Sequence, residues 1–283
     1  MINVFRYTLA RFRGQILGWG LGLFLLGLLV VPFYDIIVEQ REQFEQLLKN
    51  YPPEFVAFFG GIDAFATPEG YLSVEFFSYM PLILGIFSVL AGSGLLASDE
   101  EKGTLDLVMA HPLSRTALFL GRLLAFVIAT LAILALSWLS FVVAMNWSAL
   151  DVGWGEMALP YLSLLGVLLL FGSLALLLSM LLPSRRLAAM TAGFLLVASF
   201  FITSLARIDE NLEGIANLSP LNYYQSGEAI LGLNGEWLLG LLAAAALFAI
   251  LAWWRFERRD IRVGGEGSWR LSIPWRRVAV RGG

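Results

Sequence analysis

The sequence predicts an all-α membrane protein with six transmembrane helices and both termini on the cytoplasmic side. Three observations carry this. Hydrophobic residues make up 58% of the 283-residue chain and charged residues 14%, with a mean hydropathy of +0.76, whereas a soluble domain carries about 25% charge. Six stretches contain no Asp, Glu, Lys or Arg: 14–34, 76–98, 123–150, 157–184, 187–206 and 237–254. Each reaches the roughly 18 residues needed to cross a bilayer as a helix. The third observation is the charge distribution. The segments 35–75, 151–156 and 207–236 hold only Arg41, Lys49 and Arg207 of the 19 basic residues, and most of the 22 acids. Cytoplasmic loops favour Lys and Arg, so those three segments are expected outside and the rest inside.

Residues 1–13 set Arg6, Arg11 and Arg13 among Val4, Phe5, Leu9 and Phe12, a basic amphipathic pattern expected to form an interfacial helix before the first span. A signal peptide is the rival reading, but the apolar run is too long and no small-residue cleavage site follows. Gly14, Gly18 and Gly22 form a small-xxx-small series in the first span, a spacing that lets helices approach closely. Packing within one subunit and packing in a dimer both fit it.

Between 35 and 75, Ile36, Ile37, Gln40, Phe44, Leu47, Leu48 and Tyr51 recur at helical spacing opposite Glu39, Glu42, Glu45 and Lys49. This predicts an amphipathic helix, ended by Pro52-Pro53 and followed by Phe55, Phe58 and Phe59. Either a packed surface element or an outer cap fits. The second span holds Pro81, Gly85, Gly92 and Gly94, and the fourth opens near Pro160, all candidate kink sites. Arg185-Arg186 makes a tight inner turn between spans four and five.

A polar island at 98–122 separates two apolar runs. Asp99, Glu100 and Glu101 open it, Lys102 and Gly103 follow, and Thr104 precedes an apolar patch of Leu105, Leu107, Val108 and Met109. His111-Pro112 stops the patch, and Ser114 can cap the next helix by accepting a first-turn amide, so span three is placed at 117–150. The pattern reads as one short helix between two spans, with Gly before it and Pro after it. An apolar knob framed by charge suits docking to another protein.

The island, together with the L-x-x-G-R that opens the next run, resembles the loop after the second span of type-2 ABC exporter permeases. Glu100, Gly103, Thr104, Leu105, Leu107, Pro112, Ser114, Arg115, Gly121 and Arg122 carry the likeness. The resemblance implies that the loop is cytoplasmic and holds a coupling helix touching an ATPase. Leu105, Leu107, Val108 and Met109 would seat in a groove of that ATPase. Asp99, Glu100, Glu101 and Lys102 would make polar contacts at its rim, with Gly103, Thr104, His111, Pro112 and Arg115 completing the coupling segment. It also implies two permeases, as a homodimer or heterodimer, and two separately encoded ATPases that hold the ATP and Mg. Leu218 to Tyr224, L-S-P-L-N-Y-Y, resembles the segment before the last span of the same permeases.

The segment 207–236 is too polar to span and too apolar to be a free linker. Short half-inserted helices are expected there, with Tyr223 and Tyr224 at headgroup level. Beyond Trp254 come Arg255, Arg258, Arg259, Arg262, Arg270, Arg276, Arg277 and Arg281, interleaved with Trp269, Ile273 and Trp275. Such a tail suits an anionic inner leaflet rather than nucleic acid. The chain thus reads as one transmembrane domain, 1–262, with a basic cytoplasmic tail, 263–283.

Other chemistries meet obstacles. The two lysines, Lys49 and Lys102, follow Leu48 and Glu101, so there is no phosphate-cradling Gly-Lys-Ser/Thr loop and nucleotide binding falls to another chain. Gly18-Trp19-Gly20-Leu21-Gly22 lies inside an apolar span and is no dinucleotide fingerprint. The six charge-free runs hold no Asp, Glu, Lys or Arg, which argues against a proton-driven carrier; Arg122, just before the run 123–150 at the inner entrance to span three, is the nearest. Ala91-Gly92-Ser93-Gly94 superficially resembles a serine-protease turn, but the one histidine, His111, sits in the loop. One His and no Cys disfavour a zinc site. Asp99, Glu100 and Glu101 could hold Mg²⁺ in a membrane-embedded lipid-modifying enzyme; a solvated acidic flank or a partner for a basic surface is the plainer reading. The enzyme and a secondary carrier are the alternatives to a transport subunit without an ATPase site of its own.

Overall fold

The computed structural model describes residues 1–40, 46, 50–52, 67–105 and 113–259. These residues form helices and turns and no strand. We number the α-helices α1 (Ile2–Glu39), α2 (Pro68–Leu72), α3 (Met80–Gly94), α4 (Ala97–Glu101), α5 (Arg115–Ala144), α6 (Trp154–Leu181), α7 (Arg185–Ala206), α8 (Glu213–Ala216) and α9 (Gly235–Arg258). A π-turn, Ser73–Phe77, continues α2, and short 3₁₀ turns lie at Met145–Trp147, Glu210–Leu212, Pro220–Tyr223 and Gly227–Leu231. Among the described residues α1, α5, α6, α7 and α9 are long and apolar enough to cross a membrane. A sixth span is present if Pro68–Phe77 and α3, bent by 42°, count as one.

The N-terminal segment departs from expectation. Residues 2–13 do not form a separate interfacial helix; they are the first turns of the unbroken 38-residue α1. Val4, Thr8 and Phe12 are buried, and a Cβ on Gly121 would lie 3.1 Å from Val4. Val4 packs on α5 and Phe12 on Phe87 of α3, so the segment has protein partners to hold it in line with the span. Most of the expected amphipathic helix in 35–75 lies outside the described residues.

The most enclosed span, α6, is flanked by α3, α5, α7 and α9, while α1 lies along α5. Glycines allow the closest approaches. A Cβ on Gly92 of α3 would strike the carbonyl of Gly172 in α6, and one on Gly20 or Gly27 of α1 would strike Leu136 or Ser140 of α5. Gly14, Gly18 and Gly22, the series singled out by spacing, have nothing within 4 Å of such a Cβ and lie on the open face of α1. Within this subunit the contact glycines are therefore a different pair on the other face of the same helix. An aromatic cluster fills the core near the other end of α5: Phe76 lies 4.8 Å from Phe141, and Phe77 lies 5.1 Å from Tyr161, centroid to centroid and edge to face. Such edge contacts are the favoured aromatic geometry.

The bend before α3 has a local cause. Pro81 has no N–H to offer the carbonyl four residues back, which is that of Phe77. The Tyr224 hydroxyl donates to this oxygen at 2.8 Å. Gly227 packs so tightly on the same region that a Cβ would strike the Glu69 carbonyl, and the Ser73 and Ser226 hydroxyls are hydrogen-bonded. The short helices expected in 207–236 are present, but Tyr224 braces the broken span, and Tyr223 donates to the Asn217 carbonyl at 2.8 Å.

Contacts at the helix ends set the directions. The start of α1 meets the start of α5 through Val4 and Gly121. At the far ends of both, Asp35 accepts from the Ser148 hydroxyl and the Ala149 amide, each at 2.7 Å. Ser114 caps α5, accepting from the Ala117 amide at 3.1 Å, as its position predicts.

Gly92→Ala places a methyl against backbone that cannot yield and should cost at least about 1–3 kcal/mol. Gly18→Ala meets open space and should gain about 0.5–1 kcal/mol of helix stability. Thermal unfolding of the purified full chain in detergent checks this; equal melting temperatures for the two variants would contradict the helix contact described.

Candidate functional site

The site lies where α1, α5 and α7 begin and α3, α6 and α9 end. Leu95-Leu96 break the helix after α3, and α4 then carries the acids Asp99, Glu100 and Glu101 in one and a half turns. Gly103, at φ +64°, ends it. The Gly103 amide donates to the Glu100 carbonyl at 3.0 Å and the Thr104 amide to the Asp99 carbonyl at 2.9 Å. This is a Schellman cap, in which glycine takes the left-handed conformation without a Cβ penalty. Gly103 thus closes a helix that holds the acids, of which Asp99 and Glu100 are buried and Glu101 is exposed.

Asp99 is buried between two arginines. The Arg122 guanidinium, itself 4% exposed, meets its Oδ2 at 2.6 Å and donates to the Leu95 carbonyl at 2.5 Å. Arg11, on the second turn-pair of α1, meets Oδ1 at 3.1 Å and Oδ2 at 3.2 Å. Glu100 is ion-paired with Arg259, both buried. Arg259 also donates to the Met180 carbonyl at 3.2 Å, at the end of α6. Glu101 is exposed and accepts from the Arg185 amide at 2.9 Å, in the first turn of α7. Arg115 closes the arrangement, donating to the Arg259 carbonyl at 2.6 Å and the Phe256 carbonyl at 3.1 Å. Its neighbour Thr116 donates to Glu257 at 2.7 Å. Through a helix of five residues, α1, α5, α6, α7 and α9 are tied together.

Desolvating a carboxylate costs several kcal/mol, recovered only where a partner charge and further hydrogen bonds are in place. Both buried acids have a guanidinium partner, although Glu100 keeps its Oε1 without a hydrogen bond, and the Arg122 and Arg259 forks each also satisfy a carbonyl at a helix end, where a positive charge is favoured. The positions a cation would take beside Asp99 and Glu100 are held by guanidinium groups. The arrangement is therefore built to fix helix ends relative to one another.

Apart from Arg115, which is half-buried against the end of α9, the coupling residues singled out from sequence divide into three groups. Glu101, Lys102, Gly103 and Thr104 are exposed. Asp99, Glu100 and Leu105 are turned inward: Leu105 is 1% exposed and belongs to the main core, so this part of the apolar knob is occupied by its own chain. Leu107, Val108, Met109, His111 and Pro112 lie outside the described residues. Ser93, in the protease-like string, donates to the Leu90 carbonyl at 3.2 Å, and its neighbour Gly92 is the α6 contact. Sequence reading missed Arg11, Arg122, Arg185 and Arg259 as partners of the acids. The available signal was that three acids adjoining an apolar run need positive partners, and basic residues flank every span end on that side.

Glu100→Leu leaves Arg259 buried without its counter-charge and should destabilise the chain by about 3–5 kcal/mol; Arg259→Met added to it should recover most of that loss. A double-mutant cycle on thermal unfolding tests the pair, and additive losses would deny the coupling.

The model of the family described as ABC-2 family transporter protein matches residues 9–261, from the first turns of α1 to just past α9. The chain is also similar to YdbK of Bacillus subtilis (strain 168), an uncharacterized membrane protein. The two are 25% identical over 217 aligned residues, covering 70% of this chain and 86% of that protein. With its long apolar helices, the chain is a multi-pass protein of the cell membrane, and it belongs to the ABC-2 family of transporter proteins as the membrane component of an ABC transporter.

Proposed function

We propose that this chain is the permease of an ATP-driven exporter, moving substrate outward with work done by a separate ATPase. Two permeases, identical or different, assemble with two ATPases that bind the ATP and Mg. The chain crosses the membrane six times, with α2 and α3 as one broken span and both termini inside. In support, Arg11, Arg115, Arg122, Arg185 and Arg259 share one end of the bundle, and the inner side of a membrane protein is the basic one. The exposed face of α1 with Gly14, Gly18 and Gly22 is a contact for the second permease, since small residues there permit close helix approach.

The observation that carries the reading is the tie between α4 and the helix ends. The exposed residues Glu101 to Thr104 lead directly into 106–112, the segment proposed as the coupling helix. Immediately before them, Asp99 and Glu100 are locked to α1, α5 and α9. A displacement delivered by the ATPase to 101–112 passes through α4 into those helices. Leu107, Val108 and Met109 supply the apolar contact; Lys102 and Glu101 orient it, since rim charges act chiefly on encounter. Leu105 acts from inside, as an anchor of the segment to the permease core.

Leu107→Asp should abolish co-purification of the chain with its ATPase and the stimulation of ATP turnover, while the permease keeps its melting temperature. Retained association with unchanged turnover rejects the docking assignment. Orientation has a separate check, since the chain has no cysteine. In intact cells Asn217→Cys should react with a membrane-impermeant maleimide, and Lys102→Cys should react only after the membrane is opened. The reverse pattern would invert the topology and remove the exporter reading.

A further inference from the structure

Beside the ion pairs, a cavity of about 190 Å³ opens between α1, the end of α3 and the start of α7. Three guanidinium groups line it: Arg11, Arg122 and Arg185. They come from three helices far apart in sequence. The Arg122 side chain is 4% exposed and that of Arg11 43%, so the cavity runs from a buried charge to an open mouth. Arg185 is held across it: its Nη2 donates to the Leu90 carbonyl at 3.3 Å, and its guanidinium lies over Gly94, where a Cβ would sit 3.2 Å away. Gln15 adds an amide to the polar side, and Phe12 and Leu90 form an apolar side.

Asp99 and Glu101 offset at most two of the three guanidinium charges, so the cavity keeps a net positive balance. Asp99, the carboxylate shared by Arg11 and Arg122, and Glu101, which accepts the Arg185 backbone amide, are not part of the cavity wall. Each guanidinium carries five N–H donors in a planar fork, and the bonds named above take up only some of them. Converging arginines offering multiple N–H groups match the oxygens of a phosphate, and arginine is the side chain suited to bidentate phosphate recognition. An apolar wall next to that charge, at the end of membrane-crossing helices, suits a ligand with both a phosphate and an acyl chain. Basic pockets between spans on the inner side take anionic lipid headgroups.

We propose that this cavity binds the phosphate group of an anionic phospholipid, which thereby bridges α1, α5 and α7 at the same end of the bundle as the acid–arginine ties. The site belongs to this chain alone, and its test needs no ATPase.

The purified full chain in neutral detergent is titrated with phosphatidylglycerol, with phosphatidylcholine, and with inorganic phosphate against sodium chloride of equal ionic strength. Binding is read by native mass spectrometry and by the shift in melting temperature. Phosphatidylglycerol should bind and raise the melting temperature, and phosphatidylcholine should not. Arg185→Gln should weaken phosphatidylglycerol binding about fivefold, the factor for one basic residue near an anionic surface, and Arg185→Lys should weaken it less. Arg13→Gln and Arg186→Gln remove the same charge from exposed neighbours outside the cavity and should change binding less than twofold. Since Arg11→Gln also loosens the Asp99 pair, the Arg185 variants decide. Equal losses in Arg185→Gln and Arg186→Gln, or equal binding of the two lipids, would overturn the site. A response to inorganic phosphate with none to phosphatidylglycerol would keep the phosphate chemistry and overturn the lipid.

Discussion

A carboxylate cannot remain charged next to hydrocarbon unless a cation and hydrogen bonds replace its lost water. That constraint organises one whole end of this protein. Asp99 and Glu100 sit directly beyond the apolar run of α3 and are buried, so Arg11, Arg122 and Arg259 must be brought to them from α1, α5 and the end of α9. Once these pairs form, the helix ends have little freedom. The five residues of α4 take their importance from their contacts, since a helix so short has no stability of its own. Its glycine cap matters for the same reason: by ending the helix at Gly103 it turns the chain out of the buried charge cluster within two residues.

The same accounting of polar groups explains the opposite side of the bundle. Pro81 breaks the second apolar run and leaves the Phe77 carbonyl without its helical donor; the Tyr224 hydroxyl supplies one. Irregular backbone in a membrane protein persists where protein groups satisfy it. The polar–apolar mixture of 207–236 follows from that task. Its apolar residues include Leu221 and Ile230 in the core, and its tyrosines reach carbonyls. Tyr224 is thereby a structural brace, a different role from the headgroup anchor that its place in the sequence implied.

What was legible in the sequence was whatever depends on near neighbours. Apolar run length gave the five long helices and α3, but not the arm Pro68–Phe77, which falls in the segment expected outside; Ser114 announced its helix, and the 98–122 island announced a family. Pairings across long separations were not legible. Nothing local distinguishes Arg259, buried against Glu100, from Arg258, over the face of Trp254 at 4.4 Å, because what differs is the side of α9 each one takes. The glycine series at 14, 18 and 22 has the spacing for close helix approach but lies on the open face of α1, while Gly20 and Gly27, seven apart, make the close contact with α5. Leu105 looked like part of an exposed apolar patch because its neighbours in sequence are apolar too; only the packing shows it turned inward.

Asp35 and its bonds to Ser148 and Ala149 have a mechanical consequence. With the arginine–Asp99 links at the opposite extremity and glycine-seated contacts between, α1 and α5 are riveted at two places about a bilayer apart. Sliding or scissoring of such a pair would break these contacts, whereas tilting as a single strut breaks none of them. Compliance in this protein must therefore reside in the elements around the strut, and the jointed helix at Ser78–Tyr79 is where the backbone has already given up its continuity.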